Sequence, residues 1–255
     1  MQYLGRKLSV EAGLHVLIPS IEGYTVSFDE PIPKNTSSWK QWLADLREIL
    51  DEMLTQYDEV SVGGLCMGAV LSMALASERS ADIKSLLVYS APLKFDGWNV
   101  PWTYWIRYLG YYTPARFIVS LAELPPYGLK DERIRHWVSV QMQKKGTSAL
   151  GSSRSPLEGI FYSEQLMRHT RKNLIKITTP TLIIHSHEDD IASVKNAHII
   201  EQNISSGRVR KVLLNDCYHV ITMDLQKDIV VSETLSFLKE IKQHRETLDY
   251  QRQII

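Results

Sequence analysis

A cysteine, a carboxylate pair and a histidine each follow an apolar run in this chain, an order of side chains that suits nucleophilic acyl chemistry. The cysteine is Cys66, within Gly64-Leu65-Cys66-Met67-Gly68 directly after the apolar stretch around Val60 and Val62. A nucleophile flanked two residues away by glycines marks a nucleophile elbow, a tight strand-to-helix turn that leaves one side chain exposed above a sheet. The backbone there is strained, and glycines let neighbouring chain approach without a Cβ clash, the part expected of Gly64 and Gly68. Ala69 to Ala76 is good helix sequence, and its amino end directs partial positive charge at Cys66, whose thiolate is the reactive form. The competing reading is an ordinary buried cysteine at a glycine turn.

A thiol nucleophile needs a base within hydrogen-bond reach, and the base needs a third group to hold its tautomer and stabilise its cation. Two later loops offer such groups. Ser186-His187-Glu188-Asp189-Asp190 follows the run Thr181 to His185, and Asn215-Asp216-Cys217-Tyr218-His219 follows Val209 to Leu214. In doubly wound sheets, loops at the carboxyl ends of strands gather the chemistry. Cys66, then Asp189 or Asp190, then His219 follow the chain order nucleophile, acid, histidine.

The elements that must position these groups are legible as periodic runs. Residues 1 to 12 read as a short helix ending near Gly13, and Leu14 to Ile18 as an apolar strand stopped by Pro19. A polar, Pro-containing loop covers Ser20 to Thr36. From Ser37 or Ser38, plausible N-caps, Trp39, Trp42, Leu43, Leu46, Ile49, Leu50 and Met53 recur at helical spacing. Ile83 to Tyr89 reads as a buried strand, Val194 to Gln202 as a helix, Val209 to Leu214 as the last strand and Lys227 to Lys242 as the last helix. The tail from His244 reads as loosely held. Near-continuous apolar strands alternating with helices predict a mostly parallel sheet covered on both faces.

That alternation breaks between residues 93 and 179, which are expected to form an inserted helical cap on a core of residues 1–92 and 180–255. Phe95, Trp98, Trp102, Tyr104, Trp105, Tyr108, Tyr111, Tyr112 and Phe117 crowd the start of the insertion. They read as a satellite core, with Trp98, Trp102 and Trp105 as candidate residues for binding an apolar acyl group. Gly151-Ser152-Ser153-Arg154-Ser155 reads as a flexible connection.

Composition narrows the partners. The chain has 255 residues, with 29 Lys plus Arg against 29 Asp plus Glu, so no global charge argues for nucleic acid or an anionic surface. Cys66 and Cys217 are the only cysteines, too few for a disulfide framework and suited to a reducing compartment. No apolar run approaches the ~20 residues of a membrane span, and the first residues lack a signal peptide's apolar core, so a cytoplasmic location is expected.

The three loops and their flanks resemble the α/β-hydrolase superfamily, and within it bacterial carboxylesterases of the monoacylglycerol lipase type. Val62 to Gly68 carries the elbow, Pro180 to Asp190 resembles the strand-H-G-x-x-D pattern, and Cys217 to Asp224 resembles G-H-x-x-x-x-D. Ser186 occupies the glycine position of the second pattern, which selects Asp189 as the acid and leaves Asp190 as the fallback. The resemblance implies a Cys66, His219 and Asp189 triad with an oxyanion amide from Met67, and no cofactor. On this reading His185 and His187 are a strand-end and a loop histidine outside the chemistry. A metal site built from His185, His187 and Asp189 lacks the usual ligand spacing. Cys217 is expected to be a packed loop cysteine.

Two departures from the family shape the expected activity. The first is the nucleophile, since the elbow usually carries serine; dienelactone hydrolases and polyhydroxyalkanoate synthases also carry cysteine there, so the substitution is compatible with catalysis through a thioester. The leading expectation is hydrolysis of an ester or thioester with an apolar acyl group. The alternatives are acyl transfer from a CoA or acyl-carrier-protein thioester to an amine or hydroxyl, and a degenerate binding protein. The second departure is at the amino terminus, where family members place three further strands and a His-Gly loop supplying a second oxyanion amide. A missing strand beside the elbow strand would leave backbone groups unpaired at about 1–3 kcal/mol each. A missing oxyanion donor typically costs about 10²–10³ in turnover. Expected resolutions are a start upstream of Met1, a different strand pairing, or reduced activity.

Overall fold

A computed structural model describes residues 1–21, 37–148 and 150–253, with side chains as far as His244. In chain order the main elements are α1 (Gln2–Ala12), α2 (Trp39–Gln56), β1 (Val62–Leu65), α3 (Met67–Arg79) and β2 (Leu86–Tyr89). The insertion follows, with a 3₁₀ turn (Trp102–Ile106), α4 (Arg107–Tyr111), a second 3₁₀ turn (Pro114–Phe117), β3 (Ser120–Ala122) and α5 (Glu132–Lys145). It continues through β4 (Thr147–Ser148), β5 (Gly151–Ser152), β6 (Arg154–Pro156) and α6 (Leu157–Asn173). The chain then returns through β7 (Thr181–Ser186), α7 (Lys195–Asn203), β8 (Val209–Leu214) and α8 (Lys227–Gln253).

The central sheet is parallel, in the order β1, β2, β7, β8. Alternate strand residues point to opposite faces, and here both sets are apolar. Leu86, Val88 and Ile183 join one core with Trp42, Leu50, Met73 and Leu75, while Leu87, Tyr89, Leu182 and Ile184 join the other with Leu4, Leu8, Val230 and Phe237. Helices α2, α3, α6 and α7 therefore cover one face, and α1 and α8 the other. Among the described residues no helix is long and apolar enough to cross a membrane.

The insertion is bonded into this core. Leu166 and Met167 of α6 pack with the α3 side of the core, and Thr170 Oγ1 donates to the Val70 carbonyl at 3.3 Å. Midway along α6, Glu164 accepts from Nε of Arg107 of α4 at 2.7 Å, and that guanidinium stacks against the rings of Tyr104 and Tyr108.

Several sequence expectations need correction. Leu14 to Ile18 forms no strand. A strand needs a neighbour to take its ladder bonds, and this segment instead drapes Val16 and Ile18 over Gly5 of α1 and stacks His15 on Tyr57. Residues 151–155 are not a loose connection: β4 pairs with β5 and β6 with β3, both antiparallel. The final helix continues to Gln253 rather than ending at Lys242. Most of the expected loop, residues 22–36, lies outside the described residues.

Leu166 is fully buried where α6 meets α3. Leu166→Ala should destabilise the fold by about 2–5 kcal/mol, read from the midpoint shift in chemical denaturation at unchanged slope.

Candidate active site

The elbow is built from both sides. Cys66 lies between β1 and α3 at φ 56° and ψ −124°, a positive φ that an ordinary side chain adopts only under constraint. Its N–H donates to the Tyr89 carbonyl of β2 at 3.0 Å, and its carbonyl accepts from Ala69 at 3.0 Å and Val70 at 3.2 Å. Strand pairing and the first helical turn thus fix the same residue. Met67 opens α3, so its N–H is one of the donors that a helix start leaves without an intrahelical partner.

The two glycines have different parts. A Cβ on Gly64 would sit 2.4 Å from the Gly68 carbonyl carbon and 2.7 Å from the Ala69 nitrogen, both backbone atoms that cannot move aside. A Cβ on Gly68 would meet nothing within 4 Å. The clearance expected of both glycines is needed at Gly64 alone, because Gly68 enters the contact through its backbone.

The acid and the histidine meet below this turn. Asp189 follows β7 and His219 follows β8, and His219 Nδ1 lies 2.9 and 2.8 Å from the two Asp189 oxygens. Asp189 Oδ1 also accepts from the Ile191 and Ala192 amides at 2.9 and 2.8 Å, which turns the carboxylate toward the ring. Asp190 points elsewhere: its carboxyl accepts from the backbone N–H of His219 at 3.3 Å and of Gly128 at 3.2 Å. The two candidate acids therefore divide, Asp189 against the imidazole and Asp190 against the backbone that carries it.

Charge decides the protonation of this pair. Burial by itself lowers the His219 pKa, but the Asp189 carboxylate, then Cys66, outweigh it and raise the value well above 6.5. Burial pushes Asp189 upward, and the charge and hydrogen bond of His219 overcome that and hold it below its ordinary value. Burial also raises the Asp190 pKa. His219 Nε2 is buried and makes no conventional hydrogen bond among the described residues, while Cys66 is near enough to help hold the ring protonated.

The remaining expected residues fall into place around these three. His187 is exposed, and its backbone N–H donates to Leu214 at 2.9 Å. His185 is buried against Asp189, with Nε2 3.3 Å from Oδ2. Ser186 Oγ, standing where the resemblance places glycine, donates to the Cys217 carbonyl and accepts from the Glu188 N–H. Cys217 is fully buried, and that burial pushes its thiol up to about 12, a packed and unreactive sulfur. Trp98 donates from Nε1 to the Glu188 carbonyl at 2.9 Å and packs edge-on against Tyr218, touching both loops. Trp102 and Trp105 sit on the first 3₁₀ turn, mostly in solvent. Among the described residues no group of three or more His, Cys, Asp or Glu could hold a metal ion.

Two positioning groups escaped the sequence reading. Asp224, fully buried, accepts backbone N–H bonds from Lys130, Asp131 and Tyr218 at 2.7 to 2.8 Å, and so ties the insertion to the histidine loop. Its place in the His-x-x-x-x-Asp pattern was the available signal. Gly97 had none: a Cβ there would lie 2.3 Å from the Asp190 carbonyl, and the Gly97 and Asn99 N–H groups donate to the Ile191 and Asp190 carbonyls at 2.9 and 3.0 Å.

A parallel sheet with helices on both faces, an elbow after one strand, and an acid and histidine after two later strands is the arrangement of an α/β-hydrolase. The chain belongs to the family described as serine aminopeptidase, S33, whose model matches residues 10–226. It is 25% identical to a thermostable monoacylglycerol lipase of Bacillus sp. strain H-257 over 89% of this chain and 80% of that protein. It is 22% identical to a carboxylesterase of Bacillus subtilis strain 168, over 94% and 87%. Among solved structures, one of the metagenome-derived lipolytic enzymes LipS and LipT matches with a TM-score of 0.74 at 20% identity, covering 94% of this chain and 87% of that one. A soluble variant of the Saccharomyces cerevisiae monoglyceride lipase matches with a TM-score of 0.70 at 16% identity, covering 86% and 75%.

Gly64→Ala should abolish soluble folded protein or displace the elbow, whereas Gly68→Ala should leave thermal unfolding close to wild type. Comparison of their melting curves separates the two. The titration has a sign as well. His219, with a raised folded pKa, adds stability below its unfolded pKa that is lost as pH rises through the folded value. Asp189, with a lowered pKa, adds stability above its unfolded pKa that is lost as pH falls through the folded value. In Asp189→Asn the largest influence opposing burial is gone and only Cys66 remains against it, so NMR titration should find the His219 pKa lower than in wild type.

Proposed function

We propose that this protein hydrolyses carboxylic esters with an apolar acyl group, by way of a thioester on Cys66. The observation that carries the reading is the buried His219 shared between Asp189 and Cys66, at the carboxyl ends of three parallel strands. The lipase and carboxylesterase relatives support an ester as substrate. In acylation, the Cys66 thiolate adds to the ester carbonyl and the oxygen gains charge, with the Met67 N–H as donor. The tetrahedral species collapses with cleavage of the carbon–oxygen bond, and the departing alkoxide takes the proton from His219. In deacylation, neutral His219 removes a proton from water as it attacks the thioester. Cleavage of the carbon–sulfur bond then releases the acid and restores the thiolate. Asp189 orients the ring and stabilises its cation at both stages. Trp98 stands beside both loops, and with the exposed Trp102 and Trp105 of the following 3₁₀ turn it is the aromatic part of the insertion offered to an acyl chain.

The cysteine itself favours one second reading, acyl transfer, because a thioester passes its acyl group readily to amines and hydroxyls. Incubation with a p-nitrophenyl acyl ester and with an acyl-CoA, each with and without an alcohol or amine acceptor, tests both. Intact-mass analysis should find an acyl adduct that maps to Cys66, and Cys66→Ala should lower turnover at least about 10³-fold. Turnover that survives Cys66→Ala would remove the thioester mechanism. Free acid as the sole product in the presence of acceptors would remove the transferase.

A further inference from the structure

We propose that His185 is a positioning residue for the catalytic carboxylate, a second imidazole that locks Asp189 in the orientation His219 needs, with Ser90 as the hydroxyl partner of its outer nitrogen. The inference rests on the role given above to Asp189 and adds the groups that hold it. His185 Nε2 lies 2.8 Å from the Ala192 carbonyl and 3.3 Å from Asp189 Oδ2. A carbonyl only accepts, so Nε2 carries the proton and donates it to Ala192, with the carboxylate oxygen 3.3 Å from the same nitrogen on the positive side of the N–H dipole. Oδ1 is held by the Ile191 and Ala192 amides, Oδ2 stands against His185, and both oxygens face Nδ1 of His219. Burial lowers the His185 pKa against the pull of Asp189, so the ring serves as a neutral donor rather than as a second cation competing with His219.

With Nε2 protonated, Nδ1 of the neutral ring is an acceptor, and it is buried without a partner among the described residues. Ser90 Oγ is in the same position. The β2–β7 register pairs Tyr89 with Ile184, and the Ser90 N–H donates to the Ile184 carbonyl at 2.9 Å, so Ser90 and His185 are the next residues along adjacent strands. Ser90 is held at φ 44°, a strained conformation for serine, directly after its strand. As placed, Ser90 Oγ and His185 Nδ1 make no hydrogen bond; one between them, which this proposal requires, would fix the Nε2–H tautomer from behind. The titratable groups that act around Asp189 and this ring are His219, Asp190, Asp96 and Cys217, with Cys66 on the far side acting on His219.

The test compares His185→Leu, His185→Gln and Ser90→Ala with wild type in hydrolysis of a p-nitrophenyl ester across pH, and in the NMR signal and acid titration of the His219 ring. His185→Leu should lower kcat roughly 10- to 100-fold, the scale of a misplaced catalytic group, with little change in KM. A carboxylate that loses a donor is more easily protonated, so the acid limb of the profile and the acid change in the His219 signal should both move to higher pH. His185→Gln, whose side-chain N–H can reach the Nε2 position, should restore most of the loss. Ser90→Ala, which disturbs packing least, should shift the profile in the same direction by less. A wild type with no esterase activity would overturn the hydrolase reading while the NMR arm still reports on His185. A His219 signal and acid titration unchanged in both His185→Leu and Ser90→Ala would overturn this inference, whatever the activity.

Discussion

The buried contact between Asp189 and His219 is the constraint to which the surrounding structure answers. Burial opposes charge on each group, and the other's charge is the strongest influence against it, so each depends on the other to stay charged there. Such a pair loses its advantage with small displacements, because a separated partner becomes an uncompensated buried charge. The neighbouring chain is correspondingly tight. Backbone amides aim the Asp189 carboxylate, Asp190 and Asp224 hold the segment that carries His219, and the Tyr89 carbonyl anchors Cys66 from the adjacent strand.

The same bonds explain why the insertion cannot be treated as a detachable lid. Gly97 packs against the backbone of Asp190, Gly128 donates to the Asp190 carboxyl, and Lys130 and Asp131 donate to Asp224. At its far end α6 lies in the α3 side of the core. The part of the insertion that remains open is aromatic and apolar: Trp102, Tyr112 and Ile118 each expose more than four fifths of their surface.

Local pattern made much of this legible. The last strand was readable to the residue, Val209 to Leu214, and β7 nearly so, because continuous apolar runs bounded by proline or polar residues leave few other solutions. The helix from Trp39 was equally plain, since its apolar stripe recurs at 3.6 residues. The elbow glycines located Cys66, and the order of loops supplied the acid and the histidine. Leu14 to Ile18 had the composition of a strand and is not one, because strand formation depends on a partner that composition does not reveal.

What the sequence by itself determined, then, is the parallel sheet, the loops that end its strands, and the residue types that meet above them, all consequences of short-range periodicity and turn chemistry. The tertiary structure decided which neighbouring group faces which. Asp189 and Asp190 are adjacent and chemically alike, and only the turn closed on the Ile191 and Ala192 amides sends one to the imidazole and the other to the backbone of His219. The same holds for His185, which reads as a strand-end histidine until β2 and β7 are aligned and Asp189 folds back over it. Side-chain direction is fixed by contacts between segments far apart in the chain, and those contacts leave no period in the sequence.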